Sequence, residues 1–282
     1  MKSYKISLFI KRIFSYVFLI FLAAVSLVPF LILIVNSTRM HSELVAGFSV
    51  LPGTNFFTNL KNLFSNSNIP VLRALFNSVF VSFASAFLAT YFSAMTAYGI
   101  FAYRFKGRDF AFKMIMAVMM IPAQVTALGF VQLITKMHLM NNLLPLILPS
   151  IASPVVFFFM IQYLRSSLPA SIVEASRIDG SNEFKTFNLI VLPMIKPAIA
   201  VEAIFTFVSS WNNYFLPALI LSSKNNKTIP ILIAQLRSAD FMKFDLAQVY
   251  MLVFIAIIPL LVIYLIFSRF IISGVTMGGV KD

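Results

Sequence analysis

Glu202, Thr206, Ser209 and Asn213 recur at i, i+4, i+7 and i+11 in an otherwise apolar run, a spacing that sets polar groups along one side of a helix. Trp211, Asn212, Asn213 and Tyr214 cluster at its far end. A ring face beside amide donors and acceptors is the chemistry that recognises compounds rich in hydroxyls. An ionised carboxylate near mid-bilayer costs roughly 2.5–3.5 kcal/mol on insertion scales, so Glu202 must meet water, a partner helix or a cation. Two roles stay open for it, a place on a polar path or a near-interface contact with the preceding loop. Trp211 is open in the same way, between path and packing. No covalent or metal chemistry is indicated. Cysteine is absent, His41 and His138 fit no zinc-type spacing, and neither G-x-x-x-x-G-K-[ST] nor H-E-x-x-H occurs. The chain is expected to be no enzyme, to bind no metal or cofactor and to leave ATP hydrolysis to another subunit.

A second cluster, "EASRIDGSNEFKTFNLIVLP" from Glu174 to Pro193, is an island of charge in a chain that is 60% hydrophobic and 11% charged. Pro169 suits the start of a helix, on which Ile172, Ala175, Ser176 and Asp179 share a face. Gly180 can take the positive φ that ends it. Ser181 or Asn182 can cap a second helix carrying Phe184, Phe187 and Ile190, until Pro193 and Pro197 redirect the chain. The product is a short helix-turn-helix, lying on lipid headgroups or docked on a protein.

The elements that carry these clusters belong to a membrane protein. A mean hydropathy of +0.93, with 32 Phe and 14 Met in 282 residues, exceeds what a soluble core of that size can hide. Apolar stretches at about 13–35, 74–103, 114–135, 139–164, 197–223 and 246–268 each reach the length that crosses a bilayer. The basic residues sit between them, so the net charge of +13 reads as orientation in a membrane rather than nucleic-acid binding. With the N-terminus inside, cytoplasmic segments hold Lys2, Lys5, Lys11 and Arg12; Arg104, Lys106, Arg108 and Lys113; Arg165, Arg177, Lys185 and Lys196; Arg269 and Lys281. That distribution favours cytoplasmic N and C termini. The expectation is an all-α membrane protein, one domain over 1–282, with six transmembrane helices and a cytoplasmic helix-turn-helix, 169–196, between spans four and five. Ser78, Ser82, Ser85, Ala89, Ser93 and Thr96 on span two suit close helix packing. Pro122, Pro145, Pro149 and Pro154 imply local breaks.

The spacing Glu174-Ala175, Gly180, Ile190 and Leu192-Pro193 resembles the EAA loop of ABC importer permeases (E-A-A, three residues, G, nine residues, I-x-L-P), with Ser176 for the second alanine. "FVSSWNNYFLP", 207–217, and "GVTMGGVKD", 274–282, resemble segments of the carbohydrate-uptake subfamily and of its maltose-permease-like second permease. Asp282 departs from the usual glycine. The resemblance implies a permease subunit in a bacterial or archaeal cell membrane, multi-pass, forming the path for a sugar, most simply an oligosaccharide. It implies a second permease as heterodimer partner, a cytoplasmic ATPase dimer that holds ATP and Mg, and an external sugar-binding protein. Glu174, Ala175, Ser176, Asp179, Gly180, Phe187, Leu192 and Pro193 would then form the ATPase-coupling loop. Glu202, Thr206, Ser209, Trp211, Asn212, Asn213 and Tyr214 would line the substrate path. Another solute, such as a polyamine or glycerol phosphate, is the alternative within the family, and a secondary transporter the alternative outside it. Positive residues are disfavoured on the external side, so Lys224, Lys227, Arg237 and Lys243, with Gln235, suggest a partner there, the other reading being a solvated loop with scattered charges. The resemblance identifies that partner as the binding protein.

Overall fold

The computed structural model describes residues 2–238 and 245–279, which form helices and connections with no strand among them. In chain order the α-helices are α1 Lys2–Ser37, α2 His41–Ala46, α3 Phe56–Ser65, α4 Val71–Ala102, α5 Arg108–Met119, α6 Ala123–Lys136, α7 Leu144–Ile147, α8 Pro154–Ser167, α9 Ala170–Ile178, α10 Glu183–Lys185, α11 Leu192–Met194, α12 Lys196–Trp211, α13 Phe215–Ile220, α14 Ile229–Arg237 and α15 Leu246–Gly279. Four stretches are long and apolar enough to cross a membrane, Lys11–Ser37, Val71–Ala102, Leu144–Ser167 and Leu246–Ser268. Two bent pairs, α5 with α6 at 96° and Glu183–Met194 with α12 at 81°, bring the number to as many as six if each is one span.

Proline decides where the spans break. Pro122 stands at the α5–α6 bend with extended backbone (ψ 131°), because its ring cannot continue the α5 hydrogen-bond ladder. The stretch expected as one helix over 114–135 is therefore two legs. Pro149 lies in a 3₁₀ segment, Leu148–Ala152, and Ser153 is extended (ψ 102°) ahead of Pro154, as a residue before proline prefers. Residues 139–143 precede the helical part of span four, and Asn141 has φ 58°. Span five stops at Trp211 and resumes only as the short α13. Pro217 would clash with the carbonyl of Asn213 in a continuous helix, so Asn213 leaves the stripe that the i, i+11 spacing assigned it.

The chain divides into two compact units, residues Met1–Ser67 with Gln235–Ile255, and Asn68–Ala234 with Ala256–Asp282. In the first, Asn59 Nδ2 donates to the carbonyls of Ser37 and Arg39, both at 2.9 Å, satisfying acceptors that the end of α1 leaves free. Gly53 packs so closely on α1 that a Cβ there would lie 2.5 Å from the Thr38 carbonyl oxygen. In the second, α8 and α12 pack along α4, where Ala89, Ala94 and Ala97 meet Val156, Met160 and Leu164 in the buried core. Small residues let these helices approach closely. The serines of α4 do more than yield space: Ser93 Oγ donates to the Ser153 carbonyl at 3.2 Å and Ser85 Oγ reaches the Leu146 carbonyl at 3.5 Å. Hydroxyls of α4 thus bond the backbone of the broken fourth span, at Ser153 in addition to the Phe157 N–H from which the same carbonyl accepts at 3.0 Å.

Candidate functional site

The loop between spans four and five folds as a hairpin on the end of α4. α9 ends in a Schellman arrangement: Ser181 N–H donates to the Ser176 carbonyl (3.0 Å), Gly180 N–H to the Arg177 carbonyl (3.1 Å), and Gly180 has φ 75°. That motif needs a left-handed residue after the cap. Asn182 Oδ1 then accepts from Lys185 N–H at 2.8 Å and starts the second arm. This arm differs from the expected regular helix. It widens into a π-helix over Thr186–Val191, and Pro193 stays inside the final turn. The wider turn accommodates a proline that lacks an N–H. The change of direction falls at Ile195, with Pro197 in the first turn of α12.

The buried face of α9 is Val173 and Ser176, with Ile172 half-buried, whereas Ala175 and Asp179 are exposed, so the expected face of Ile172, Ala175, Ser176 and Asp179 is split. Ser176 Oγ lies 3.2 Å from Thr186 Oγ1 and joins the two arms. Phe187, 2% exposed, sits between Tyr98 and Tyr91 at centroid distances of 5.6 and 5.7 Å. A polar lock ties the hairpin to α4. Arg177 Nε donates to Glu183 Oε1 at 2.7 Å, Arg177 Nη2 to the Ala102 carbonyl at 3.3 Å, and Tyr98 Oη to Glu183 Oε2 at 2.6 Å. The Arg177 guanidinium also lies over the Tyr103 ring, 5.2 Å from its centroid. Burial pushes the Glu183 carboxyl up, but hydrogen bonds from Arg177, Tyr98 and Tyr103 outweigh it and hold the group below the usual carboxylate range.

The opposite surface carries Glu174, Ala175, Asp179 and Gly180, all exposed, with Pro193 exposed and Leu192 half-buried on the second arm. Ile178, Phe184 and Leu189 stand 87, 67 and 70% exposed. The sequence reading missed Tyr98, Arg177, Glu183 and Thr186 as a set. Only the Asn182-Glu183 pair at a helix start signalled one of them.

In span five, α12 turns Ala200, Ile204, Phe207 and Trp211 inward, and its other side carries Glu202, Thr206 and Ser209. Glu202 is 6% exposed and makes no hydrogen bond among the described residues. Thr206 is half-buried and Ser209 exposed. Trp211, 3% exposed, stacks on Phe207 at 5.9 Å beside Ala86. Asn212, Asn213 and Tyr214 form the exposed break after it.

The loop after α13 is clamped at many points. Asn141 Oδ1 accepts from Ser223 N–H at 2.9 Å, Asn77 Nδ2 donates to the carbonyls of Asn225 (2.8 Å) and Lys227 (3.0 Å), and Ser78 Oγ accepts from Ile229 N–H at 2.8 Å. Lys224 is exposed and Lys227 half-buried in that loop, while Gln235 and Arg237 are exposed at the end of α14. Lys243 lies outside the described residues, as do Lys281 and Asp282.

These features coincide with a known family. Residues 89–274 match the binding-protein-dependent transport system inner membrane component family. The arabinooligosaccharides transport system permease protein of Bacillus subtilis (strain 168) is 34% identical over 276 residues, covering 96% of each chain. The sn-glycerol-3-phosphate transport system permease protein of Escherichia coli is 30% identical, covering 93% of this chain and 95% of that one. The lactose transport system permease protein of Rhizobium radiobacter is 26% identical, covering 92% of each. The fold matches that of a bacterial ABC transporter involved in import of the acidic polysaccharide alginate, with a TM-score of 0.78 at 20% identity over 92% of this chain and 96% of the other. A chain with several apolar stretches long enough to cross a membrane, matched by the family model over residues 89–274 and aligned with these permeases over more than nine tenths of its length, is a multi-pass membrane protein belonging to the binding-protein-dependent transport system inner membrane component family.

Proposed function

We propose that the chain is one of two permease subunits of an ATP-driven importer in a bacterial or archaeal cell membrane, passing an oligosaccharide delivered by an external binding protein. Arabinooligosaccharide and lactose permeases among its relatives support the solute class. The observation that carries the mechanism is that α4 holds a contact at each end. Tyr98 and the Ala102 carbonyl grip the hairpin, and Asn77 and Ser78 grip the 225–229 loop. The hairpin presents its exposed Glu174, Ile178, Phe184 and Leu189 to a cytoplasmic ATPase dimer, the subunit that holds ATP and Mg. Movement imposed there passes through Arg177 and Glu183 to α4, a rigid rod about 48 Å long at ~1.5 Å per residue. At its other end the rod carries the loop of Lys224 and Lys227, a contact for the binding protein, and Gln235 and Arg237 are further contacts for it. Thr206, Ser209, Asn212, Asn213 and Tyr214 offer hydroxyl and amide partners to the sugar, and Glu202 is completed by water, sugar or the second permease. Both termini are cytoplasmic in this arrangement.

Cross-subunit assembly tests the docking face. Ile178→Asp and Glu174→Lys leave the α4 lock intact, so the subunit should still insert while losing co-purification with the ATPase. Undiminished association in both variants would return the hairpin to the lipid headgroups. A second solute class, glycerol phosphate, is kept in view by the 30% identical glycerol-3-phosphate permease. Competition of labelled oligosaccharide uptake by glycerol phosphate decides between them.

A further inference from the structure

We infer that α3, in the segment between the first two spans, is a lipid anchor whose Phe57–Lys61–Phe64 face is seated in the bilayer leaflet on its own side. The inference rests on Leu246–Ser268 crossing the bilayer and not on the transported solute. Contacts to α15 fix how deep α3 reaches. Asn66, just past α3, donates from Nδ2 to Gln248 Oε1 at 3.2 Å. Phe56, at its start, meets Phe254 edge-on at 5.6 Å between centroids. Phe254 lies eight residues beyond Leu246, hence about 12 Å along the helix axis at 1.5 Å per residue. A hydrocarbon core of about 30 Å leaves that level inside the leaflet. The beginning of α3 therefore dips below the membrane surface, although its sequence position marked it as external.

The exposed surface of α3 is segregated. Phe56, Asn59, Leu60 and Leu63 are buried or half-buried, while Thr58, Asn62 and Ser65 form an exposed polar strip. Phe57, Lys61 and Phe64 follow at i, i+4 and i+7, with Phe57 78% and Phe64 42% exposed. Two phenylalanines flanking a lysine is the arrangement of an interfacial helix, the rings entering the acyl region and the ammonium reaching back to headgroup phosphates. The same unit also exposes apolar side chains on α1, where Leu27, Leu31 and Ile34 are 58, 58 and 49% exposed. Asn59 and Gly53 hold α3 to the end of α1, so the face is presented rigidly.

The absence of cysteine makes a site-specific test direct. Bimane is attached to Phe57→Cys, Phe64→Cys and Asn62→Cys in the whole transporter, reconstituted with its partner subunits. The labels on Phe57→Cys and Phe64→Cys should lose most of their fluorescence in phospholipid with brominated acyl chains and little to aqueous iodide. Asn62→Cys should show the reverse. Iodide quenching of the first two labels would overturn the anchor and leave the face to solvent or a soluble partner. Protection from both quenchers would also overturn it, assigning the face to the second permease. If Phe57→Cys does not assemble, Phe64→Cys carries the same comparison.

Discussion

Gly180 has room for a side chain and no freedom to carry one. Nothing lies within 4 Å of a Cβ built there, yet φ is 75°, so the cost of substitution is conformational and not steric. Gly180→Ala should destabilise the hairpin by about 1 kcal/mol, and Gly180→Asn by less, because asparagine tolerates the left-handed region. Thermal unfolding of the purified subunit reads the difference. Equal losses would mean that the turn is not held in this conformation. Glu183 gives a second residue-level test. Its carboxyl is lowered in the folded chain, so its stabilisation is complete above the ordinary carboxylate value of 4.5 and is lost as pH falls through the lowered one. The contribution of Glu183 should be flat between pH 6 and 8. Glu183→Gln should remove roughly 0.5 kcal/mol across that range, discounted because both partners of the pair are partly exposed. A loss that itself varies between pH 6 and 8 would place the titrating group elsewhere.

At the scale of elements, the hairpin and its turn were legible because a glycine, an asparagine cap and a proline leave local marks. The breaks at Pro122 and Pro154 were legible for the same reason. What stayed hidden was partnership across the chain. Tyr98 reads as one more aromatic in an apolar helix until Glu183 comes to it, and Ser78, Ser85 and Ser93 read as small residues until broken backbone lies beside them. The stripe ending in Asn213 failed because period alone ignores Pro217, four residues ahead. Trp211 illustrates the limit of residue type: a ring suited to sugar is buried on Phe207. Asn77 carries the prediction at this scale. Asn77→Ala removes two hydrogen bonds to the carbonyls of Asn225 and Lys227 and should weaken attachment of that loop by about 2 kcal/mol. Limited proteolysis should then cut between Ser222 and Lys227 faster than in the parent chain. An unchanged cutting rate would show that Asn141 and Ser78 suffice.

For the whole molecule, apolar runs made the membrane class readable, with four to six candidate spans, while the two bent helix pairs and the dip of α3 depend on packing that no window of sequence contains. The arrangement predicts that reporters fused at Arg108 and Lys185 read cytoplasmic and one at Lys227 external. A cytoplasmic Lys227 would invert the last two spans. As proposed, this chain carries solute because ATP hydrolysis in a partner subunit moves its hairpin. The most direct measurement is uptake of radiolabelled arabinooligosaccharide into proteoliposomes containing this chain, its permease partner and the ATPase, with binding protein on the side of the 224–227 loop. Uptake should require enclosed ATP and binding protein, persist when ion gradients are collapsed, and fall to background with Ile178→Asp. Uptake that runs without ATP and stops when an ion gradient is collapsed would contradict the account.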